Sequence, residues 1–310
     1  MLGFSQGLLF AATVLVALAW GLYTLAFIAS YNAKKVRREM VSVAASQSEY
    51  GSAPSRVLPN SSGDGDNEAR PGTSRGGIIT VASGLSWMVL LALTASAVLR
   101  WIGTGHPPMA NHYEFAVAFC WGMTLFHCYF QWRYQLRTLA VFVLPVILGM
   151  LAYATTLSYQ AKPLMPALQN SPLLTLHVFT AALAYGAAVV SFGAAVMYLL
   201  SPYVKWPGWP KPEMLDEVGY KAVFFTFPLL TIMIVLGAIW ANIAWGQYWS
   251  WDPKETAALV TWLIYGGYLH ARVMRGWNGN RAAWLLVLGF VAIVFTYFGN
   301  LWFGGMHAYA

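Results

Sequence analysis

Eight stretches of about twenty mostly apolar residues recur along the chain, and they leave little choice of fold. They run roughly over 6–30, 78–101, 114–132, 138–158, 173–200, 222–244, 256–274 and 283–303. A helix needs about 20 such residues to cross the hydrocarbon core of a bilayer. The chain therefore reads as an all-α polytopic membrane protein, a bundle of about eight transmembrane helices. Composition agrees, because only 9% of its 310 residues are charged. An ordinary soluble domain carries about 25% and needs them to keep its surface wet.

Charge sets the direction of the spans. The first apolar stretch has no basic residue before it and KKVRRE just after it. A cleavable signal peptide has the opposite order, so this helix reads as retained. The positive-inside rule then puts residue 1 outside and Lys34 inside. Alternating from there, the inside segments hold 7, 2, 3 and 3 basic residues, 15 of the 18 in the chain. Only Arg100, Lys162 and Lys254 fall outside. A wrong helix count would scramble this sorting, so both termini are expected on the outer side. The net charge of +7 thus reflects topology and not a nucleic-acid partner.

The expected organisation has three parts: an N-terminal helix over 1–32, a cytoplasmic segment over 33–77, and a seven-helix domain over 78–310. Residues 45–77 are rich in Ser, Gly, Pro and Asn and bury too little to fold, which predicts a disordered linker. Residues 202–221 read as a short ordered inner loop. Cys120 and Cys128 lie in one apolar run, with no CxxC, and read as buried apolar thiols.

Between the sixth and seventh runs lies WGQYWSWDPKET, residues 245–256. Tryptophan and tyrosine are at home at a membrane interface, and that suffices for Trp240, Trp277 and Trp302. The 245–252 stretch is denser. It holds Trp245, Gly246, Tyr248, Trp249, Trp251 and Asp252, with the glycine read as allowing close approach. Asp252 can cap the seventh helix, and Glu255 three residues on completes a capping box. The aromatic residues read as a flat platform beside a carboxylate.

The histidines sort by depth. His106 and His112 fall in an outer loop, and His177, His307 and the aromatic stretch fall at nearly one outer level. His270 is about 14 residues into the seventh helix, on the order of 20 Å from the outer face. His127 is similarly deep in the third. An ionisable group there is costly and is a functional candidate. His127, beside Cys128, reads instead as a neutral imidazole bonded to a backbone carbonyl. A flat floor and two histidines at one level suit heme b, a planar macrocycle whose iron takes histidine ligands.

These residues resemble a known pattern. WGQYWSWDPKET is similar to the tryptophan-rich WWD motif of heme-handling proteins. Its PKET continuation, with eight spans, resembles the CcsA/ResC family of System II cytochrome c synthases. GHPPMANHYE, SPLLTLHVFTAALAYGA, WLIYGGYLHAR and GGMHAYA agree, so the likeness covers roughly 78–310. The resemblance implies a WWD segment over 240–256 inside a heme-handling domain. It implies a CcsB/ResB-type membrane subunit as partner and an apocytochrome c with a CxxCH site as client, served by a thioredoxin-like reductant. Together they would carry heme to the outer side and form the thioethers, a holocytochrome c synthase (heme lyase) activity. By this likeness His177 and His307 ligate the outer heme, and His270 ligates heme within the membrane opposite a histidine of the partner. The spacing alone also offers His127 as an in-chain partner for His270. Ala308 stands where the family often has serine, a departure that leaves ligation untouched. A bacterial plasma membrane is the expected location, with the thylakoid membrane left open. Rival readings are a System I CcmC- or CcmF-type protein, a bis-histidine cytochrome b, and a scaffold whose tryptophans are only belt residues.

Overall fold

The computed structural model describes residues 1–50, 73–161, 172–204, 206, 208–299 and 303–306. Among these residues eight α-helices follow one another: α1 (Leu2–Tyr50), α2 (Thr73–Thr104), α3 (His112–Tyr134), α4 (Ala140–Thr156, entered through a 3-10 turn at Arg137–Leu139), α5 (Pro172–Leu200), α6 (Pro212–Trp245), α7 (Pro253–Arg275) and α8 (Asn280–Phe298). They stand where the eight apolar runs lie, and there is no strand among the described residues. Six are long and apolar enough to span a membrane by composition alone. The exceptions, α3 and α7, have 23 residues each, about 34 Å at 1.5 Å per residue, so they match a bilayer in length.

The centre of the bundle is α5, which packs against α3, α4, α6 and α8. Its run of alanines and glycines explains this. Lipid tails are as apolar as leucine, so helices in a membrane associate where small residues let backbones approach. A Cβ on Gly122 of α3 would lie 2.2 Å from the carbonyl oxygen of Ala182, and one on Gly186 would lie 2.3 Å from that of Gly122. Polar pairs tie the other helices. The Trp262 indole donates to Thr231 across α6 and α7 at 2.8 Å, and Thr261 meets Thr296 across α7 and α8 at 3.1 Å. At the end of the bundle where α6 begins and α7 finishes, Arg272 grips Asp216 through two bonds of 2.9 and 2.6 Å.

Three boundaries differ from the sequence reading. Helix α1 continues to Tyr50 and α2 begins at Thr73, so both ends of the expected 33–77 linker are helical; residues 51–72 lie outside the described part. Half of the expected inner loop, PEMLDEVGYK, forms the first turns of α6, opened by Pro212 at a position where its missing N–H costs nothing. Helix α1 is also not a separate unit. Its Leu9, Val16 and Tyr23 belong to the same core as the other helices. Ser5 and Ser96 exchange hydroxyl-to-carbonyl bonds of 3.0 and 2.8 Å.

Candidate functional site

A pocket opens at the end of the bundle where α3, α5 and α7 begin and α6 and α8 finish. Its wall takes His112 and Phe115 from α3, His177 and Tyr185 from α5, Met233, Gly237 and Trp240 from α6, and Lys254 and Glu255 from α7. Tyr248 and Trp249 join from the 246–252 loop and Thr296 and Tyr297 from α8. Its walls are mostly apolar and aromatic, with a few polar groups among them, as in small-molecule sites generally.

The backbone of α6 fixes the ring of His177. Its Nδ1 lies 2.7 Å from the carbonyl oxygen of Met233. A carbonyl only accepts, so Nδ1 carries a hydrogen, and in the neutral ring Nε2 carries the lone pair. One turn on, Gly237 leaves room for the ring: a Cβ there would meet His177 Cε1 at 2.7 Å and Nδ1 at 2.9 Å. The glycine and the carbonyl together hold one tautomer in one orientation, as the outer partners of a metal-ligating histidine do.

The aromatic segment is less uniform than a floor. Gly246 closes α6 in the left-handed conformation, φ 77°, with its N–H on Asn242. Nothing lies within 4 Å of a Cβ placed there, so its glycine serves the turn and not the expected close approach. Tyr248 and Trp249 line the pocket. Trp251 stands nearly perpendicular to Trp249, at 88°, and is 69% exposed. Trp251 also holds φ 60°, a left-handed conformation that a bulky side chain rarely takes. Trp245 packs edge-on against Trp240 at 4.8 Å, beside the pocket. The expected platform of three tryptophans thus reduces to Trp249 with Tyr248 at the pocket, because the turn rotates successive rings apart.

Asp252 does two jobs. The expected capping box is present, with the Asp252 carboxylate accepting from Lys254 N and Glu255 returning to the N-cap backbone. Its other oxygen accepts from the backbone N–H of Met306 at 2.6 Å. Gly305 permits this approach, since a Cβ there would lie 2.3 Å from Asp252 Oδ2. The segment leading to His307 is therefore tied to the motif; His307 itself, like Trp302, lies outside the described residues. Glu255 is turned to the loop by Ser250 N and Oγ and Asp252 N. Lys254 points along the pocket wall, its Nζ 5.9 Å from the Phe115 ring centre. Burial pushes its ammonium down to about 8, with Asp252 working weakly the other way.

Against this geometry, the similarities are consistent. The cytochrome C assembly protein family matches residues 109–307. The chain belongs to that family. It is 36% identical over 251 residues to the cytochrome c biogenesis protein CcsA of Guillardia theta, covering 71% of this chain and 83% of that one. It is 34% identical over 291 residues to CcsA of Gloeobacter violaceus, covering 74% and 86%. A solved chain described as cytochrome c heme lyase CcmF shares the fold, with TM-score 0.59 at 18% identity, over 96% of this chain but only 46% of its own length. The protein is thus a multi-pass membrane member of the cytochrome c assembly family, and its function lies in cytochrome c biogenesis.

The remaining histidines of this family member divide sharply. His270 is exposed on α7, away from the core. His127 is fully buried, and neither ring nitrogen has a hydrogen-bond partner. The backbone bond expected for it is not made. With His127 inside the bundle and His270 on its surface, the two do not form an in-chain pair. His106 serves its own loop, with Nδ1 2.9 Å from the Pro107 carbonyl.

Sequence reasoning missed three groups. Trp240, read as a belt residue, is 2% exposed and lines the pocket. His112, left in the outer loop, lines it too. Arg100, counted only as a basic residue on the wrong side, is buried on Glu114 at 2.6 Å and on the Tyr159 carbonyl at 2.7 Å. Its isolation among outer loops was the available signal, since an unsorted charge in such a chain needs a partner. Among the described residues no three His, Cys, Asp or Glu side chains gather to hold a bare metal ion. A heme iron brings four nitrogens of its own and asks the protein for one or two more.

Proposed function

We propose that the outer pocket receives heme b as substrate and presents it to an apocytochrome c for attachment, a heme lyase activity exerted with a CcsB/ResB-type membrane subunit. The observation that carries this reading is the setting of His177. Its Nδ1–H is committed to the Met233 carbonyl at 2.7 Å, so the ring offers Nε2 to an iron in an apolar pocket faced by Trp249. His307, next in sequence to the Met306 held by Asp252, is the second axial ligand. Trp249 and Tyr248 lie along the macrocycle, and Trp245, Gly246, Trp251 and Asp252 shape the loop that holds them.

The chemistry asks for orientation rather than acid–base power. The heme is held with its vinyl edge toward the outer water. The histidine of the client's CxxCH displaces one axial ligand and brings two thiols to the vinyls. Each S–H adds across a C=C bond: a C–S bond forms and the hydrogen goes to the neighbouring carbon. A thioredoxin-like reductant keeps the cysteines as thiols beforehand. His270 ligates heme within the membrane, opposite a histidine of the partner.

The test is the visible spectrum of the purified full chain, made with and without the partner. A low-spin bis-histidine heme is expected. In the chain made alone, His177→Ala with His307→Ala should lose it, and added imidazole should restore part of it to His307→Gly. Full heme retention in the double variant would overturn the ligand assignment. No heme above background in any preparation would overturn the function.

A further inference from the structure

Among the described residues, the outer pocket is lined by one lysine that the proposed function leaves unused. Lys254 lines the pocket beside Phe115, yet it makes no ion pair with any carboxylate among the described residues. Two acidic side chains are close in sequence, and both are engaged elsewhere. Asp252 spends one oxygen on Lys254 N and the other on Met306 N. Glu255 accepts from Ser250 N, Ser250 Oγ and Asp252 N through a single oxygen. The Phe115 ring lies 5.9 Å from the ammonium, and the pocket lining is mostly aromatic and aliphatic, with His112, His177 and Glu255 among it. A cation in such surroundings is costly unless something brings a counter-charge. Hydrogen bonds hold both nearby carboxylates in the loop, and Asp252 offsets the burial of the ammonium only weakly, so a counter-charge carried by the ligand would complete the site.

We infer that Lys254 forms a carboxylate-recognising subsite of the outer pocket, which takes an acidic group carried on the edge of the planar ligand. This rests on the heme reading above and deepens it: the acidic group is a heme propionate. An ammonium–carboxylate contact away from bulk water is stronger and more directional than one at the surface. Placed at one side of the pocket, it would select which edge of the macrocycle enters. With the propionate edge held at Lys254, the opposite edge carries the vinyls and is left for the client's thiols. Lys254 is thus a specificity and positioning residue, not a catalytic one.

The experiment compares hemin with hemin dimethyl ester, in which both propionates are capped, on the full-length protein in detergent. Binding is followed by visible spectroscopy for wild type, Lys254→Met and Lys254→Arg. Wild type should prefer the free acid by at least tenfold. Lys254→Met should bind the two alike, and Lys254→Arg should keep most of the preference. Equal binding of acid and ester by wild type overturns the inference while leaving the heme reading intact. So does an undiminished preference in Lys254→Met. Absence of binding by either porphyrin overturns both. If Lys254→Met does not fold, the wild-type comparison alone decides.

Discussion

His177 and His270 are both histidines on long apolar helices, and their surroundings are opposite. His177 is half-buried and supported: the Met233 carbonyl accepts from its ring, Gly237 makes room for it, and five helices contribute to the pocket in front of it. His270 is exposed on the side of α7 facing away from the core. A ligand set complete within one chain looks like the first, and a set that needs something from outside looks like the second. On the proposed reading, one fold would hold a site complete within the chain at one end and a half-site on its flank.

The comparison breaks most readily at Gly237. A valine there puts a branched Cβ where the His177 ring lies, 2.7 Å from Cε1. Losing the support behind a ligating histidine typically costs about 10- to 100-fold in metal affinity. Gly237→Val should therefore lower outer heme affinity by that order, measured by titration. Gly267→Ala is the control, since nothing lies within 4 Å of its added Cβ, and it should bind as wild type does. Equal binding in both would mean that the His177 orientation is not set by this contact.

The next effect separates the two roles of Asp252. Asp252→Ala removes the cap of α7, worth about 1 kcal/mol, together with the tether to Met306. Gly305→Ala leaves the cap and strikes only the tether, because its Cβ would lie 2.3 Å from Asp252 Oδ2. Both variants should weaken outer heme binding by roughly tenfold, on the scale of a disturbed ligand support. Only Asp252→Ala should also lower the melting temperature. If Gly305→Ala binds heme normally, the tail is not positioned through Asp252.

How far the sequence reached differs between these same parts. The eight helices were readable because long apolar runs are read by a bilayer directly. The capping box was readable because its spacing is local. The pocket was not, since it depends on which helices meet. His112 and Trp240 come to the same wall from segments more than 120 residues apart in the sequence numbering. The flat tryptophan floor failed for a backbone reason, the left-handed residues at Gly246 and Trp251, which turn rings that are neighbours in sequence to different directions. The His127 bond failed because periodicity gives a face but not the atoms opposite it.

A smaller effect should follow pH. The Lys254 ammonium is pushed down to about 8 by burial, so in the empty pocket it is charged below that pH and neutral above it. Only the charged form attracts a carboxylate. Affinity for free-acid heme should then be full near pH 7 and fall as pH rises through 8, by at most about tenfold per unit for one coupled proton. The dimethyl ester, with no carboxylate, should show no such fall. Parallel curves for acid and ester would remove Lys254 from the account of binding.

The smallest expected effect is at the flank, and it tests the comparison most directly. His270 contributes nothing to the outer pocket wall and lies on an exposed face of α7, a distance on the order of 25 Å along the helix from Lys254. His270→Ala should leave outer heme affinity within about twofold, since well-separated sites with no shared partners act independently. The same substitution should matter only when a second membrane subunit covers that face. Co-expressed with the partner, wild type should carry more heme than the chain alone, and His270→Ala should lose that excess. If His270→Ala empties the outer pocket in the isolated chain, the two histidines belong to one coupled site, and the division between a finished site and a half-site fails.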